Sequence, residues 1–588
     1  MSTIALSPGI RFLCRTLFMP TLALFLFQAF IPHSTYGVPL WVMATLLAVA
    51  FLVTRTIFTG ISRSMSARAM GARLVPCAKG TWPGSVDLLR RLLASYKSGY
   101  LGETFSALAQ SLGPAMNIRI LWKDKIFTSA PEHIQIILAT DYKNYIKGEQ
   151  FRDGNDSVLG NGVFNSDGEL WSFHRSMTRP YFSRDRVQHF DIFDRQTERA
   201  IAHIRRRMGE GYAIDFQDII SRMTMDSATE FLFGACVDSL SCIPPYPHSA
   251  PAMQHLANES PRAKEANDFI EAYGDAMVQI AFRQRVGWIW PLFEMFGDKT
   301  AKSMAIVANY IDPIIHAALE KKRTADQEKI TFDSGEKLSL LDTMLESTSD
   351  PKLLKDEILN ILLAGKDTTM NVLTNVIYFL ARSPKITARL REEILAVVGA
   401  TERPTYEDIK RMKYLKAVLN ETMRLYPPVP FNVRESVKAA TWPSPNPNEK
   451  PLYIPAGVNI VYSVITMHRR HDLWGPDADE WDPERFLDDR AKKYITHHFQ
   501  FLPFNAGPRV CLGQQFAYNE MSFVLIRLLQ SFASFTLDVD ACPPDARVPS
   551  DWSGQPGRKG VEQFVPKAHL TMYTLGGLWV KMTDAQDA

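Results

Sequence analysis

Residues 504–513 read FNAGPRVCLG, and Cys511 within them is the side chain best placed to do chemistry. A thiolate that serves as axial ligand to a haem iron needs stabilised negative charge, close backbone approach and shelter from water. Cys511 stands just before an apolar helical pattern over 512–531, so free N–H groups and the amino-terminal dipole of that helix would favour the ionised sulfur. Gly507 permits a turn closed to other residues, and Gly513 lets main-chain donors approach the sulfur. Phe504 can pack its ring on the sulfur, and the fork of Arg509 suits a haem propionate. The other five cysteines, Cys14, Cys77, Cys236, Cys242 and Cys542, have no such context and read as small buried hydrophobes.

A second constellation lies at residues 364–369, AGKDTT, inside a long apolar helical pattern over 352–382. Ala364, Asp367 and Thr368 share a face at i, i+3 and i+4, and Lys366 is expected to point elsewhere. The Thr368 hydroxyl can compete with the helix's own hydrogen bonds and open a groove for water. An alcohol with a carboxylate behind it can relay protons without flooding a buried site.

F-x-x-G-x-R-x-C-x-G, satisfied here at Phe504, Gly507, Arg509, Cys511 and Gly513, resembles the haem-binding signature of the cytochrome P-450 superfamily. Residues 167–182 (DGELWSFHRSMTRPYF), the AGKDTT run and the stretch around Cys511 are similar to membrane-bound fungal enzymes of the alkane and fatty-acid hydroxylase type. The resemblance implies haem b on Cys511 and an acid–alcohol pair at Asp367 and Thr368. It implies Trp171 and Arg175 of a W-x-x-x-R pattern at a propionate, with Arg434 as a further propionate contact. Glu421 and Arg424 at i, i+3, with Arg485 of PERF, resemble the superfamily's buried structural triad. By resemblance the substrate pocket is lined by the loop 152–168, Ala364, Val429, Phe431 and Val433, and the final turn at Leu575. Ala364 stands where some relatives carry a haem-esterified Glu, so no such cross-link is expected.

The implied activity is that of a monooxygenase, which uses dioxygen and two electrons to hydroxylate a lipophilic fatty acid, alkane, aromatic or terpenoid. The chain has no convincing nucleotide fingerprint of the G-x-G-x-x-G type. Electrons from NADPH must therefore come through a separate reductase, with cytochrome b5 as a further partner. The expected reductase-docking patch holds Arg179, Arg490, Lys492 and Lys493. A reductase-independent isomerase or dehydratase acting on an oxidised lipid is one alternative; such enzymes tend to lack the acid–alcohol pair. A non-catalytic haem-binding protein is the other.

The elements that must position these residues are mostly helical. Helical patterns fall at 184–210, 214–234, 262–284, 299–323, 351–382, 384–398, 406–426 and 511–531, and strand-like runs at 117–122, 133–139, 452–463 and 570–581. Proline-rich stretches at 242–262 and 441–450 read as surface insertions. The expected fold is mainly α with small sheets, as one domain over 91–588. In front of it, 16–31 and 38–54 are uncharged and apolar, separated by a short joint without Lys or Arg. They fit a helical hairpin with both ends on the basic, cytosolic side; a single span with an interfacial helix and a cleaved signal peptide are the alternatives. The expected layout is an anchor over 1–60 and a linker over 61–90, on the endoplasmic reticulum with the catalytic domain facing the cytosol.

Over all 588 residues, 66 basic and 63 acidic side chains leave a net charge of +3, without the basic face that a nucleic-acid binder needs. Six cysteines without a C-x-x-C pair exclude a disulfide scaffold and a zinc ribbon.

Overall fold

The computed structural model describes residues 7–16, 40–182, 190–250, 260–328, 339–497 and 499–586. Among the described residues helices dominate, and four small sheets lie among them. The central element is the helix Pro351–Arg382. Asp350 caps it by accepting the N–H of Lys352 at 2.9 Å, and Pro351 fits the first turn, where no N–H is needed. This long helix packs along Phe216–Phe233, which Asp215 caps by accepting from Gln217 and Asp218.

Two apolar cores meet on the long helix. Its first half, from Leu354 to Leu363, belongs to a core shared with the helices Pro261–Val286 and Ala301–Glu328. Its second half, from Met370 to Leu380, belongs to one shared with Lys413–Leu425 and Gln514–Ser531. The stretch 364–369 between them contributes to neither core.

The largest sheet has six strands in the order Cys77–Ala78, Ala115–Ile118, Lys125–Thr128, Asn459–Ser463, Phe431–Ser436 and Tyr145–Ile146. Asn459–Ser463 runs parallel to Lys125–Thr128 and antiparallel to Phe431–Ser436. A two-stranded hairpin pairs Pro566–Ala568 with Met572–Thr574.

Several elements differ from the sequence expectation. The run 133–139 is helical: Pro131 opens the helix Pro131–Gln135, which continues as a π turn over Ile136–Thr140. Ile134, Ile137 and Leu138, at i, i+3 and i+4, are its buried face. The run 117–122 holds only the end of a strand, because Leu121 and Trp122 both turn with positive φ. The runs 452–463 and 570–581 each hold two strands rather than one. The run 406–426 is two helices, Tyr406–Arg411 and Lys413–Leu425, divided at Met412, whose backbone is extended. The stretch 441–450 is not wholly surface: Trp442 is fully buried and donates to the Tyr145 hydroxyl at 2.9 Å.

At the amino terminus, residues 8–16 are helical and the helix Leu40–Ala69 passes residue 60 without a break. A further helix, Val86–Ser98, begins inside the stretch read as linker. The first arm of the expected hairpin, 16–31, lies outside the described residues apart from Thr16. Among the described residues no helix is long and apolar enough to cross a membrane.

Candidate functional site

Cys511 is set by a tight backbone path. Its N–H donates to the carbonyl of Phe504 at 3.0 Å, and Val510 N–H donates to Gly507 at 3.0 Å. Gly507 has φ +66°, and a Cβ there would lie 1.9 Å from the carbonyl oxygen of Leu138. Only glycine lets this turn pass the π-turn helix. Burial pushes the Cys511 thiol up, while the Gly513 N–H and the nearby Arg175 pull it down. The helix Gln514–Ser531 starts three residues beyond the sulfur. The Phe504 ring packs on Tyr518 at 5.1 Å. Of the other five cysteines only Cys242, in the core beyond the turn Ser239–Ser241, is buried; Cys14 is exposed and three are intermediate, so the reading of all five as buried hydrophobes holds for Cys242 alone.

Cys511 opens onto a cavity of about 560 Å³ whose wall is largely apolar. This is within the usual range for small-molecule sites, roughly 300–1,000 Å³. Phe504, Gly513, Trp171, Arg175, Arg434 and Arg509 line the same cavity. Trp171 lies between two guanidinium groups, Arg509 at 4.6 Å and Arg175 at 5.8 Å from its ring centre. Arg175 donates to Val510 O at 2.9 Å, which fixes it beside the cysteine. Arg509 donates to Asp167 at 2.8 Å and to Ser166 O, and Arg434 donates to Val433 O at 2.7 Å.

Lys147 joins this cluster, and no motif in the sequence marked it. Burial, then the charges of Arg434 and Arg509, push its ammonium well down; Asp167 opposes them. Burial and Arg434 also push Arg509 down to about 10. Asp167 is already held by Arg152 at 2.9 Å, so the cluster has more cations than its carboxylate can balance. A buried surplus of this kind is costly unless anions enter it. With the cysteine, the Gly507 passage and the apolar wall, it fits a haem whose two propionates meet Arg434, Arg509 and Lys147.

Ala364 and Thr368 line the cavity in the gap between the two cores. Thr368 Oγ1 donates to Ala364 O at 2.5 Å, so its hydroxyl is engaged with the helix backbone as expected. The helix is nevertheless continuous over its full length. Asp367 is not among the lining residues, and Lys366 does not point elsewhere: its Nζ lies 2.8 Å from the Asp367 carboxylate. The long stem of a lysine lets it fold back along its own helix to an adjacent carboxylate. Glu520, on the helix after Cys511, also lines the cavity; burial pushes its carboxyl up to about 8, against the hydroxyls of Thr369 and Ser227. Only its place on the apolar helix pattern could have signalled it.

Glu421, Arg424 and Arg485 are fully buried. Arg424 Nε lies 2.7 Å and Arg485 Nε 3.4 Å from the Glu421 carboxylate. Arg424 also donates to the carbonyls of His468, Ala478 and Glu480, and Arg485 to those of Trp474 and Asp477. The pair that looks like an ordinary helical ion pair is therefore a clamp on the chain from 468 to 485.

The expected pocket residues Val429, Phe431 and Val433 line the cavity, as do Val163 and Phe164; of the stretch 152–168 only 160–167 is loop, because 152–159 belong to the helix Glu149–Leu159. That loop hangs from the long helix: Asn161, Val163 and Phe164 donate N–H bonds to Asp356, Glu357 and Asn360 at 2.9 Å each. Leu575 does not line it. Its N–H pairs with Val565 O and its side chain packs against Tyr100, Trp552 and Val565. The hairpin tip, His569 to Thr571, takes its place. At the expected docking patch, Arg179 lies beside Leu512 in a surface depression. Arg490 is tied to Asp477, Asp482 and Asp488, and Lys492 to Asp489, so these two add no free positive charge.

A mainly helical fold around one cavity, with a cysteine and a surplus of cations on its wall, is the architecture of a haem-thiolate protein. The model of the family "Cytochrome P450" matches residues 86–551. The chain is 34% identical to "Cytochrome P450 52E1" of Candida apicola over 69% of its length and 75% of that protein's. It is 33% identical to "Cytochrome P450 monooxygenase g430" of Fusarium sp over 86% of its length and 87% of that protein's. It is 35% identical to "Cytochrome P450 52A1" of Candida tropicalis over 72% and 75%. The chain belongs to the cytochrome P450 family and is a monooxygenase. The family carries haem, takes its electrons from a reductase and acts on lipophilic substrates.

Proposed function

We propose that this monooxygenase hydroxylates an aliphatic lipid, a fatty acid or an alkane, at a haem held by Cys511. The observation that carries the reading is that Cys511, Thr368, the Arg434–Arg509–Lys147 cluster and an apolar wall share one cavity. When bound, haem supplies the activation of dioxygen. Cys511 would support it with thiolate electron density, and Arg434, Arg509 and Lys147, with Arg175 and Trp171 beside them, would hold its acid edge. Gly507 and Gly513 shape the cysteine loop, and Phe504 backs it. Thr368 holds a proton at its Oγ1, Asp367 replenishes it from behind, and Lys366 fixes the Asp367 carboxylate. Ala364, Phe431, Val429 and Val433 exclude water and orient the chain of the substrate.

Electrons come from NADPH through a separate reductase, with cytochrome b5 as a second donor. Docking beside Arg179 and Leu512 places the partner close to the cysteine. The amino-terminal 60 residues anchor the protein in the endoplasmic reticulum membrane with the catalytic domain in the cytosol; the uncharged apolar stretches at 16–31 and 38–54 support this. The test is a carbon monoxide difference spectrum of the reduced protein. A thiolate-type Soret band, lost in Cys511→Ser, is expected. An imidazole-like band in the wild type refutes the assignment.

A further inference from the structure

Glu357 takes no part in the proton path, yet it is fully buried on the long helix, and so is the His174 side chain beside it. Its Oε2 accepts the Val163 N–H at 2.9 Å and lies 2.8 Å from His174 Nδ1. Glu357 Oε1 and His174 Nε2 have no hydrogen-bond partner among the described residues. Apolar side chains of similar volume would be about as stable here, because a buried pair with polar atoms left over recovers little of its desolvation cost. Stability does not account for this pair. Its placement between two parts of the site does.

On one side, Val163 and its neighbour Phe164 are cavity wall, and Asn360 holds the Phe164 N–H about a turn further along the helix. Asn360 also donates to Leu159 O at 2.8 Å, which closes the grip at the start of the loop. On the other side, His174 stands on the helix Gly168–Thr178, next to Arg175 and three residues from Trp171 at the haem edge. Glu357, Asn360 and Ala364 fall at i, i+3 and i+7 on one face of the long helix, so the grip lies about 10 Å along the axis from Ala364. Gly162 lets the loop backbone come this close, since a Cβ there would run into the Asn360 side chain. We propose that Glu357 is a positioning residue: it fixes the wall at Val163 and Phe164 relative to the haem edge, and so selects which carbons of the substrate are hydroxylated. The proposal rests on the aliphatic reading above.

The test uses the full-length, haem-loaded protein with a reductase and NADPH, and dodecane and dodecanoate as probes. Glu357→Met removes the acceptor. It should shift the ratio of products hydroxylated at different carbons at least about threefold and weaken the low-spin to high-spin titration about fivefold, the size of one hydrogen bond. Glu357→Gln keeps an oxygen for the Val163 N–H and should stay within about twofold on both readings. Gly162→Ala pushes the loop away from its own side, leaving the acceptors and the cavity lining in place, and should act as Glu357→Met does. The carbon monoxide band of each variant reports an intact haem site, and Gly162→Ala decides the matter if the Met variant holds no haem. A lower melting temperature with an unmoved product ratio makes the grip merely structural and overturns the proposal. A Gln variant as altered as the Met variant overturns it too; either result leaves the aliphatic reading standing. A wild type with an intact thiolate band that hydroxylates neither compound overturns both.

Discussion

His468 Nε2 accepts the backbone N–H of Leu502 at 3.0 Å. On the other side of the ring, Nδ1 lies 3.2 Å from the carbonyl of Arg424 and donates to it. One imidazole thus joins the Glu421–Arg424–Arg485 clamp to the chain two residues before Phe504. The joint works only with a neutral ring, because Nε2 must remain an acceptor. Burial, and then the charge of Arg424, push His468 down to about 3.

The first prediction follows from that shift. Unfolded, the ring titrates near its ordinary value of about 6.5. The unfolded chain therefore binds the extra proton first as pH falls. The contribution of His468 to stability is complete above about 6.5 and is lost progressively toward 3. Between pH 7 and pH 5 the loss is roughly 2 kcal/mol. Denaturant titrations at the two pH values should show a drop about 2 kcal/mol smaller in His468→Gln than in the wild type. Equal drops would count against the assignment.

Glu421→Gln should be far more damaging than removal of any surface pair. It leaves Arg424 and Arg485 buried without their shared carboxylate, at a cost of about 3–5 kcal/mol. Because Asp482 N–H also donates to Glu421 at 3.0 Å, the whole chain from 468 to 485 loses its clamp. The expected readout is a lower melting temperature together with reduced haem absorbance per protein. Full haem content at an unchanged melting temperature would show the clamp to be dispensable.

The fold class was legible because helical periodicity survives in amphipathic elements such as Phe190–Gly209 and Lys413–Leu425. Cys511 was legible because glycine, arginine and cysteine at fixed spacing have few other uses. Lys147 was not, since a lysine's meaning depends on which partners the tertiary fold denies it. Leu575 misled for the opposite reason: an apolar residue after a hairpin looks the same whether it faces the cavity or Trp552. The run 133–139 misled because its apolar residues fit either period, and Pro131 had to decide it.

Gly507→Ala is expected to abolish haem retention while sparing the rest of the fold. A Cβ at 1.9 Å from Leu138 O forces the helix over 131–140 or the cysteine loop to move. The left-handed backbone adds about 1–2 kcal/mol for any residue with a side chain. Far-ultraviolet circular dichroism should stay near that of the wild type while the Soret-to-protein absorbance ratio collapses. An unchanged ratio would mean that the passage between Gly507 and Leu138 is looser than the geometry indicates.

The proton path gives the last prediction. Thr368 lines the cavity with its hydroxyl on Ala364 O, whereas Asp367 is not among the lining residues and is held by Lys366 at 2.8 Å. If the hydroxyl delivers protons and the carboxylate refills it, the three side chains act in series and their losses should rank by distance from the cavity. Thr368→Ala should cut product formed per NADPH at least about tenfold, the low end of what general acid catalysis supplies or beneath it. The missing electrons should appear as hydrogen peroxide, because dioxygen that accepts two electrons without cleavage leaves in that form. Asp367→Asn should act in the same direction. Lys366→Met should do so less, since it loosens the carboxylate without removing it. Parallel measurements of NADPH consumed, product and peroxide check the ranking. A Lys366→Met protein with wild-type coupling would leave Lys366–Asp367 as a largely buried ion pair with no part in the relay.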